Sequence, residues 1–246
     1  MRYKKAPILE AAIEFRWASV VSLEALASAV KISVFERFEE PKPRRLMSAN
    51  FDLEAGGVTQ EVTEVGFEMV LKDGSERVFL EGNKFVYIQS APYDQWDDFS
   101  GRSLAIMAPT IKALDVSEFS RVGVRFINRI DVPTTDDGKY NTDDYITIKF
   151  DGPRKDKGMI EEFQMRVVKP TLSDGMFYAL GLATSPSPLP GHSGIVLDID
   201  VFNVNVIQTS DVSLSDLLAD MRSEKNELFE LCITNKARLL FGGLVE

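Results

Sequence analysis

Arg121-Val122-Gly123-Val124-Arg125-Phe126-Ile127-Asn128-Arg129-Ile130-Asp131-Val132 alternates without a break. Val122, Val124, Phe126, Asn128 and Ile130 fall on one side of an extended chain, and Arg121, Gly123, Arg125, Ile127, Arg129 and Asp131 on the other. A period of two with one apolar side marks a half-buried strand, here with a basic outer face. Ile8 to Trp17 repeats the arrangement: Leu9, Ala11, Ile13, Phe15 and Trp17 oppose Ile8, Glu10, Ala12, Glu14 and Arg16. Two long one-sided strands need a cover for their apolar side, and the segments around them supply helices and more strands.

After the first strand, Ser22 is placed to cap a helix in which Leu23, Leu26, Ala27, Val30, Val34 and Phe38 recur at helical spacing until Pro41 and Pro43. Leu46 to Ser90 reads as a meander of antiparallel strands, punctuated by Gly56-Gly57, Asp73-Gly74 and Gly82-Asn83. Tyr93 to Leu114 is helical in pattern, with Gly101 and Pro109 as weak or bending points. Beyond the Arg121 strand, Asp144 to Phe150 favours strand by its Tyr, Ile and Thr, with a short helix as the alternative. Strands are expected again at Phe163 to Lys169, Met176 to Thr184 and Gly194 to Gln208. Ser213 and Asp216 then open a helix carrying Leu214, Leu217, Leu218, Met221, Leu228 and Leu231, and Thr234 caps a last turn near Gly242.

The expected fold class is α+β, with largely antiparallel sheets packed by helices. Element order suggests two similar halves, residues 1–116 and 117–246, forming one compact unit as a curved sheet or a barrel-like arrangement. The likeness lies in element order and in the charged opening strands, not in matching residues.

Bulk properties bound the function. The chain has 246 residues, 44% hydrophobic and 27% charged, ordinary globular usage for a sizeable core. Its net charge of −10 opposes general attraction to nucleic acid or anionic membranes. The one cysteine, Cys232, excludes an intrachain disulfide and reads as a small buried hydrophobe. No run reaches the ~18 apolar residues that span a bilayer. Met1 to Pro7 is basic but runs at once into Glu10 and Glu14, unlike a signal peptide, so the cytoplasm is the expected location.

Familiar catalytic motifs are missing: there is no G-x-x-x-x-G-K-[ST], no G-x-G-x-x-G after a strand, no C-x-x-C and no H-E-x-x-H. His192, the one histidine, sits in Pro190-Gly191-His192-Ser193-Gly194 and reads as an exposed loop residue rather than a catalytic base. A single histidine also rules out a histidine-rich metal site, and no metal ligands or catalytic residues are assigned.

The residues that invite a ligand are the charged sides of the strands: Glu10, Glu14 and Arg16 on one, Arg121, Arg125 and Arg129 on the next, and Asp198 and Asp200 on the strand near Gly194. Turned inward on a curved sheet, guanidinium forks match phosphate or carboxylate, and the carboxylates suit a hard divalent cation, Mg²⁺ or Mn²⁺. That is the logic of the triphosphate tunnel enzymes, which carry alternating glutamates and a lysine on their first strand. This chain departs from it, with Ala12, Glu14 and Arg16 at the alternating positions. The simpler expectation is that these charges face water and that helices cover the apolar side.

Three blocks also carry a family resemblance: Pro7-Ile8-Leu9-Glu10-Ala11-Ala12-Ile13-Glu14-Phe15-Arg16-Trp17, Arg121 to Ile130, and Asn226-Glu227-Leu228-Phe229-Glu230 leading to Ile233-Thr234 and Leu240-Phe241-Gly242. Together they span most of the chain, and they resemble a sporadically distributed bacterial protein family of unknown function with members of about this length. The resemblance implies no activity, cofactor or catalytic residue; patchy distribution implies an accessory gene, such as defence or mobile-element cargo. The expected function is therefore a binding or interaction module in an accessory system, with a protein partner or a second copy as its target. The alternative is a divalent-metal-dependent phosphate-handling or nucleotide-binding enzyme that takes a small anionic ligand on its Arg/Glu/Asp face. Where Glu14, Arg16, Arg125 and Arg129 point is what separates the two.

Overall fold

The two alternating strands lie side by side at the centre of one sheet. The structure, a computed structural model, describes residues 3–52, 56–93, 95–149, 162–209 and 214–242. In chain order the elements are β1 (Ile8–Arg16), α1 (Leu23–Ala29), β2 (Lys42–Asp52), β3 (Gly57–Val70), β4 (Glu76–Glu81), β5 (Lys84–Ser90) and α2 (Trp96–Ala113). They continue with β6 (Glu118–Phe119), β7 (Arg121–Pro133), β8 (Gln164–Pro170), β9 (Met176–Pro186), β10 (His192–Asn203), β11 (Ile207–Gln208), α3 (Leu214–Cys232) and α4 (Asn235–Leu240). The fold is α+β, as the pattern predicts.

Nine strands form a sheet in the order β2-β3-β4-β5-β1-β7-β10-β9-β8, with every neighbouring pair antiparallel. From the β1–β7 centre the chain travels alike in both directions: it crosses to an outer strand and returns by hairpins, ending in α2 on one side and α3 on the other. The sheet is open, with β2 and β8 as its edges. Of the two arrangements expected, curved sheet or barrel-like, the sheet is not closed into a barrel. Helices already fill the apolar side, and closing the sheet on its other side would take the charged residues out of water.

Parity holds at the centre. Ala11, Ile13, Phe15 and Trp17 of the first strand and Val122, Val124, Phe126, Ile130 and Val132 of β7 are buried, joined by Ile195, Leu197, Ile199 and Val201 of β10. α3 packs on β10 and β7, α2 on β5, and α1 on β3. Leu218 and Met221 of α3 are fully buried and Leu217 packs against the same core, while Met107, Phe229 and Phe241 are core residues too. α2 runs unbroken through Gly101 and Pro109.

Some local expectations change. α1 has its Ser22 cap, which accepts from the Ala25 amide at 3.3 Å, but it ends at Ala29 and is followed by a 3-10 turn, Ser33–Phe35. β-branched Ile32 and Val34 and the backbone-competing Ser33 disfavour a longer helix, and Val30, Phe35 and Phe38 are buried without one. In place of a strand at Asp144 to Phe150 there is a 3-10 turn, Thr142–Asp144, and a single bridge from fully buried Ile146 to Ile233. The neighbouring edge is taken by the α3–α4 junction rather than by a strand. Gly194 to Gln208 divides into β10 and β11, which pairs with β6 in a separate two-stranded sheet. Thr234 caps α4 as expected, accepting from the Ala237 amide at 3.2 Å. The expected cap at Ser213 and the end of the Phe150 segment lie outside the described residues.

Candidate functional site

The charged residues singled out in the sequence all sit on the side of the sheet opposite the helices, and the strand register decides who meets whom. In β1 and β7, Glu14 stands opposite Gly123 and Arg16 opposite Arg121; in β7 and β10, Asp200 stands opposite Arg125 and Asp198 opposite Ile127. Arg121 reaches over Gly123 in both directions. Its Nη2 donates to both oxygens of Asp200 at 2.8 and 3.0 Å, and its Nη1 donates to Glu14. A Cβ at position 123 would lie 2.6 Å from Arg121 Nη1, so glycine there is what lets the guanidinium lie across the strand. Arg16 closes the row by donating to Glu14 at 2.7 and 3.0 Å. Arg121 also lies over the Phe202 ring at 4.4 Å, and Phe202 stacks on Phe177.

A second pair is separate: Arg125 makes a fork to Asp198 at 2.8 and 2.6 Å. Glu10 and Arg129 belong to neither. Glu10 accepts from Arg77 of β4 at 2.7 Å, and Arg129 Nε donates at 3.0 Å to Asp131, which also accepts from Ser187 at 2.7 Å. With Arg77 and Asp131 included, five arginines and five carboxylates therefore divide into short-range groups that balance. Hydrogen bonding to Asp198 raises the Arg125 pKa, and hydrogen bonding to Glu14 raises that of Arg16. Burial raises the Asp200 carboxyl pKa, against the opposing charge of Arg121.

Beside the Arg125 fork lies a shallow depression of about 150 Å³, lined by Arg125, Arg166, Ala179, Gly181, Asp198 and Asp200. The small residues of β9 make its floor. Arg166, on edge strand β8, has no hydrogen bond or ion pair among the described residues. Arg77, Arg166 and Gly181 were not picked out from the sequence. Arg77 has a visible signal, since Glu76 to Glu81 alternates; Arg166 and Gly181 have none, because only the register brings them to Asp198.

His192 begins β10 rather than lying in a loop, and its Nδ1 is 2.9 Å from the Pro190 carbonyl. Cys232 is buried, and burial pushes its thiol up to about 11. Among the described residues no three His, Cys, Asp or Glu side chains gather as a metal-holding group, and no helix is long and apolar enough to cross a membrane.

The other unusual surface is the β2–β3 hairpin. β3 pairs with β4 only over Gly66–Val70, whereas β2 and β3 pair along their full length to Asp52 and Gly57. The outer part is therefore a two-stranded ribbon extending past the body. It departs at a bulge: Arg44 faces Gly66 and Arg45 faces Glu64, leaving Val65 as the extra residue on β3. At Gly66 a Cβ would sit 2.0 Å from the Leu80 carbonyl oxygen, so only glycine permits the close crossing there. Beyond it Met47 faces Val62 and Ala49 faces Gln60, with Val58 farther along the same side. Met47, Val62, Val58 and, on the opposite side, Leu46 are 68, 59, 57 and 61% exposed.

No protein-family model matches the chain, and no curated protein matches it in sequence.

Proposed function

We propose that the protein is a binding or interaction module, acting through the β2–β3 ribbon as part of a bacterial accessory system of the kind its family resemblance implies. One observation carries this reading: a ribbon with uncovered apolar residues on both sides projects from a body whose central arginines on β1 and β7 are already paired with carboxylates. An isolated two-stranded ribbon in water is marginal, and exposed apolar residues clustered on one are a contact surface awaiting cover. On the charged face, by contrast, Arg16, Arg121, Arg125 and Arg129 are already engaged by neighbouring carboxylates and exert little pull at a distance. The test is capture by the full chain and by a folded Met47→Lys, Val62→Lys variant. A partner held by the first and lost by the second supports the reading; association indifferent to the ribbon overturns it.

One observation favours a second reading, the phosphate-handling alternative: Arg166, without a partner among the described residues, beside Arg125 in the depression between β8 and β10. There a small anion meets two guanidiniums, with Asp198 and Asp200 opposing it. Its test is an equilibrium series with nucleotides, polyphosphate and short oligonucleotides at two salt concentrations, using wild type and an Arg125→Ala, Arg166→Ala variant. Binding that weakens with salt and is lost in the variant supports it.

A further inference from the structure

We infer that the depression over Gly181 binds a small zwitterion, of the class of a short α-amino acid, with its carboxylate on Arg166 and its ammonium on Asp198 and Asp200. This rests on the depression being a ligand site, as the second reading has it, and names a ligand that carries both charges in place of a phosphate.

Three strands carry the site in one row. Arg166 of β8 stands opposite Gly181 of β9, and Gly181 stands opposite Asp198 of β10. Neighbouring strands lie about 4.8 Å apart, so roughly 10 Å separates the Arg166 and Asp198 backbones, and only a glycine stands between them. A Cβ on Gly181 would come 3.3 Å from the Asp198 Cβ and 3.7 Å from its Oδ2. Without it, that oxygen borders the open floor. The next row repeats the arrangement with a methyl group in the middle: Val168 stands opposite Ala179, and Ala179 opposite Asp200.

The other glycine on this side of the sheet shows what a filled gap looks like. Over Gly123 the space is closed from within, because Arg121 lies across it to reach Glu14 and Asp200. Over Gly181 nothing crosses: Asp198 is held by Arg125 from β7, on its far side, and Arg166 has no partner among the described residues. The opening left is about 150 Å³.

Charge selects the ligand. Two arginines and two aspartates line the opening, so a bare anion drawn to Arg166 is opposed by both carboxylates, and a bare cation by both guanidiniums. A molecule with an ammonium and a carboxylate on one carbon satisfies both ends of the row. The aspartates are ion-paired but not saturated: Asp198 accepts two hydrogen bonds from Arg125 and Asp200 two from Arg121, where an ionised carboxylate accepts about four. Their side chains stay 26 and 20% exposed, and Arg166 has its whole fork for a carboxylate. Size then excludes nucleotides, since drug-sized ligands take clefts of about 300 Å³ or more.

The test is equilibrium binding to the full chain, followed by NMR titration, of glycine and L-alanine against acetate, methylammonium and inorganic phosphate. Wild type is expected to bind the two amino acids about tenfold or more tighter than acetate or methylammonium, each of which keeps one charge and loses the other's hydrogen bonds. Arg166→Ala, and Gly181→Val, which fills the floor, should each weaken amino-acid binding by about tenfold or more, while Lys169→Ala, on the same strand but the other side, leaves it unchanged. Arg166 is exposed, so its replacement preserves the fold and keeps the test decisive where Gly181→Val does not fold.

No binding of glycine or alanine at millimolar concentration, binding that Arg166→Ala leaves unchanged, or acetate held as tightly as glycine overturns the inference. Phosphate held tighter than glycine, and lost in the Arg125→Ala, Arg166→Ala variant, overturns it while the phosphate reading stands. If neither these compounds nor the nucleotide series binds, both fall.

Discussion

The central strands and the outer ribbon use the same period-two alternation, yet the structure treats them differently. In β1, β7 and β10 the apolar side is sealed under α2 and α3 and the polar side is a lattice of paired charges. In the ribbon, Met47 and Val62 share one side with no helix over it, and their exposure exceeds half. The comparison teaches that alternation specifies which residues share a side but not whether that side is covered. Cover depends on where a helix of finite length happens to lie.

The largest expected contrast is in stability. Leu218→Ala, at a fully buried site over the centre, should lose roughly 2–5 kcal/mol in denaturant melts, as large-to-small core changes do. A melt indistinguishable from wild type would show that the helix layer does not seal the central strands.

Next comes a flaw within the sealed side. Lys225 of α3 is buried with its Nζ 4.0 Å from the centroid of the Phe126 ring, and burial, then Arg222, lowers its pKa to about 7 while Glu230 opposes. In the unfolded chain the amine holds its proton up to about pH 10.4, so between pH 7 and that value the unfolded state binds more protons and folding stability should rise with pH. Below pH 7 the cost of burying the charge is present in full. Lys225→Met should therefore gain about 1–4 kcal/mol near neutrality and flatten this pH dependence. A less stable variant would mean that the ring contact outweighs desolvation.

The charged lattice sharpens the comparison from its other side. Arg121→Ala strands Asp200 and leaves Glu14 with Arg16 alone, both carboxylates being partly buried, and should cost about 1–3 kcal/mol. Arg125→Ala, whose partner pair is half exposed, should cost about 0–1 kcal/mol. Equal losses would mean that the row through Arg121 is no more coupled than a surface ion pair. Smallest of all, Met47→Ser in the ribbon should shift the stability of the dilute chain by no more than about 0.5 kcal/mol, because nothing in the monomer covers it.

Most of the body was legible from single residues. The buried parities of β1 and β7, the caps at Ser22 and Thr234 and the apolar stripe of α3 all follow from local spacing. The charged candidates were also found on one side, as alternation requires. Their grouping was not legible: Glu14 joins Arg121 and Asp200, while Glu10 goes to Arg77 and Arg129 to Asp131, because partners are chosen by register across strands far apart in sequence. α1 stopped early and the Asp144 segment formed no strand, since burial of Phe35, Phe38 and Ile146 was achieved by 3-10 turns and one bridge instead.

Period, caps and turn residues act within a few positions, and so strand and helix identity, the side each residue faces and the polarity of that side are dictated along the chain itself. Openness of the sheet, the balanced pairing of its charges, the depression by Arg166 and the overhang of the ribbon depend on how far strands overlap and which helix covers them. Those are properties of pairing between distant segments, and they exist only once the β1–β7 centre has brought the two halves into one sheet.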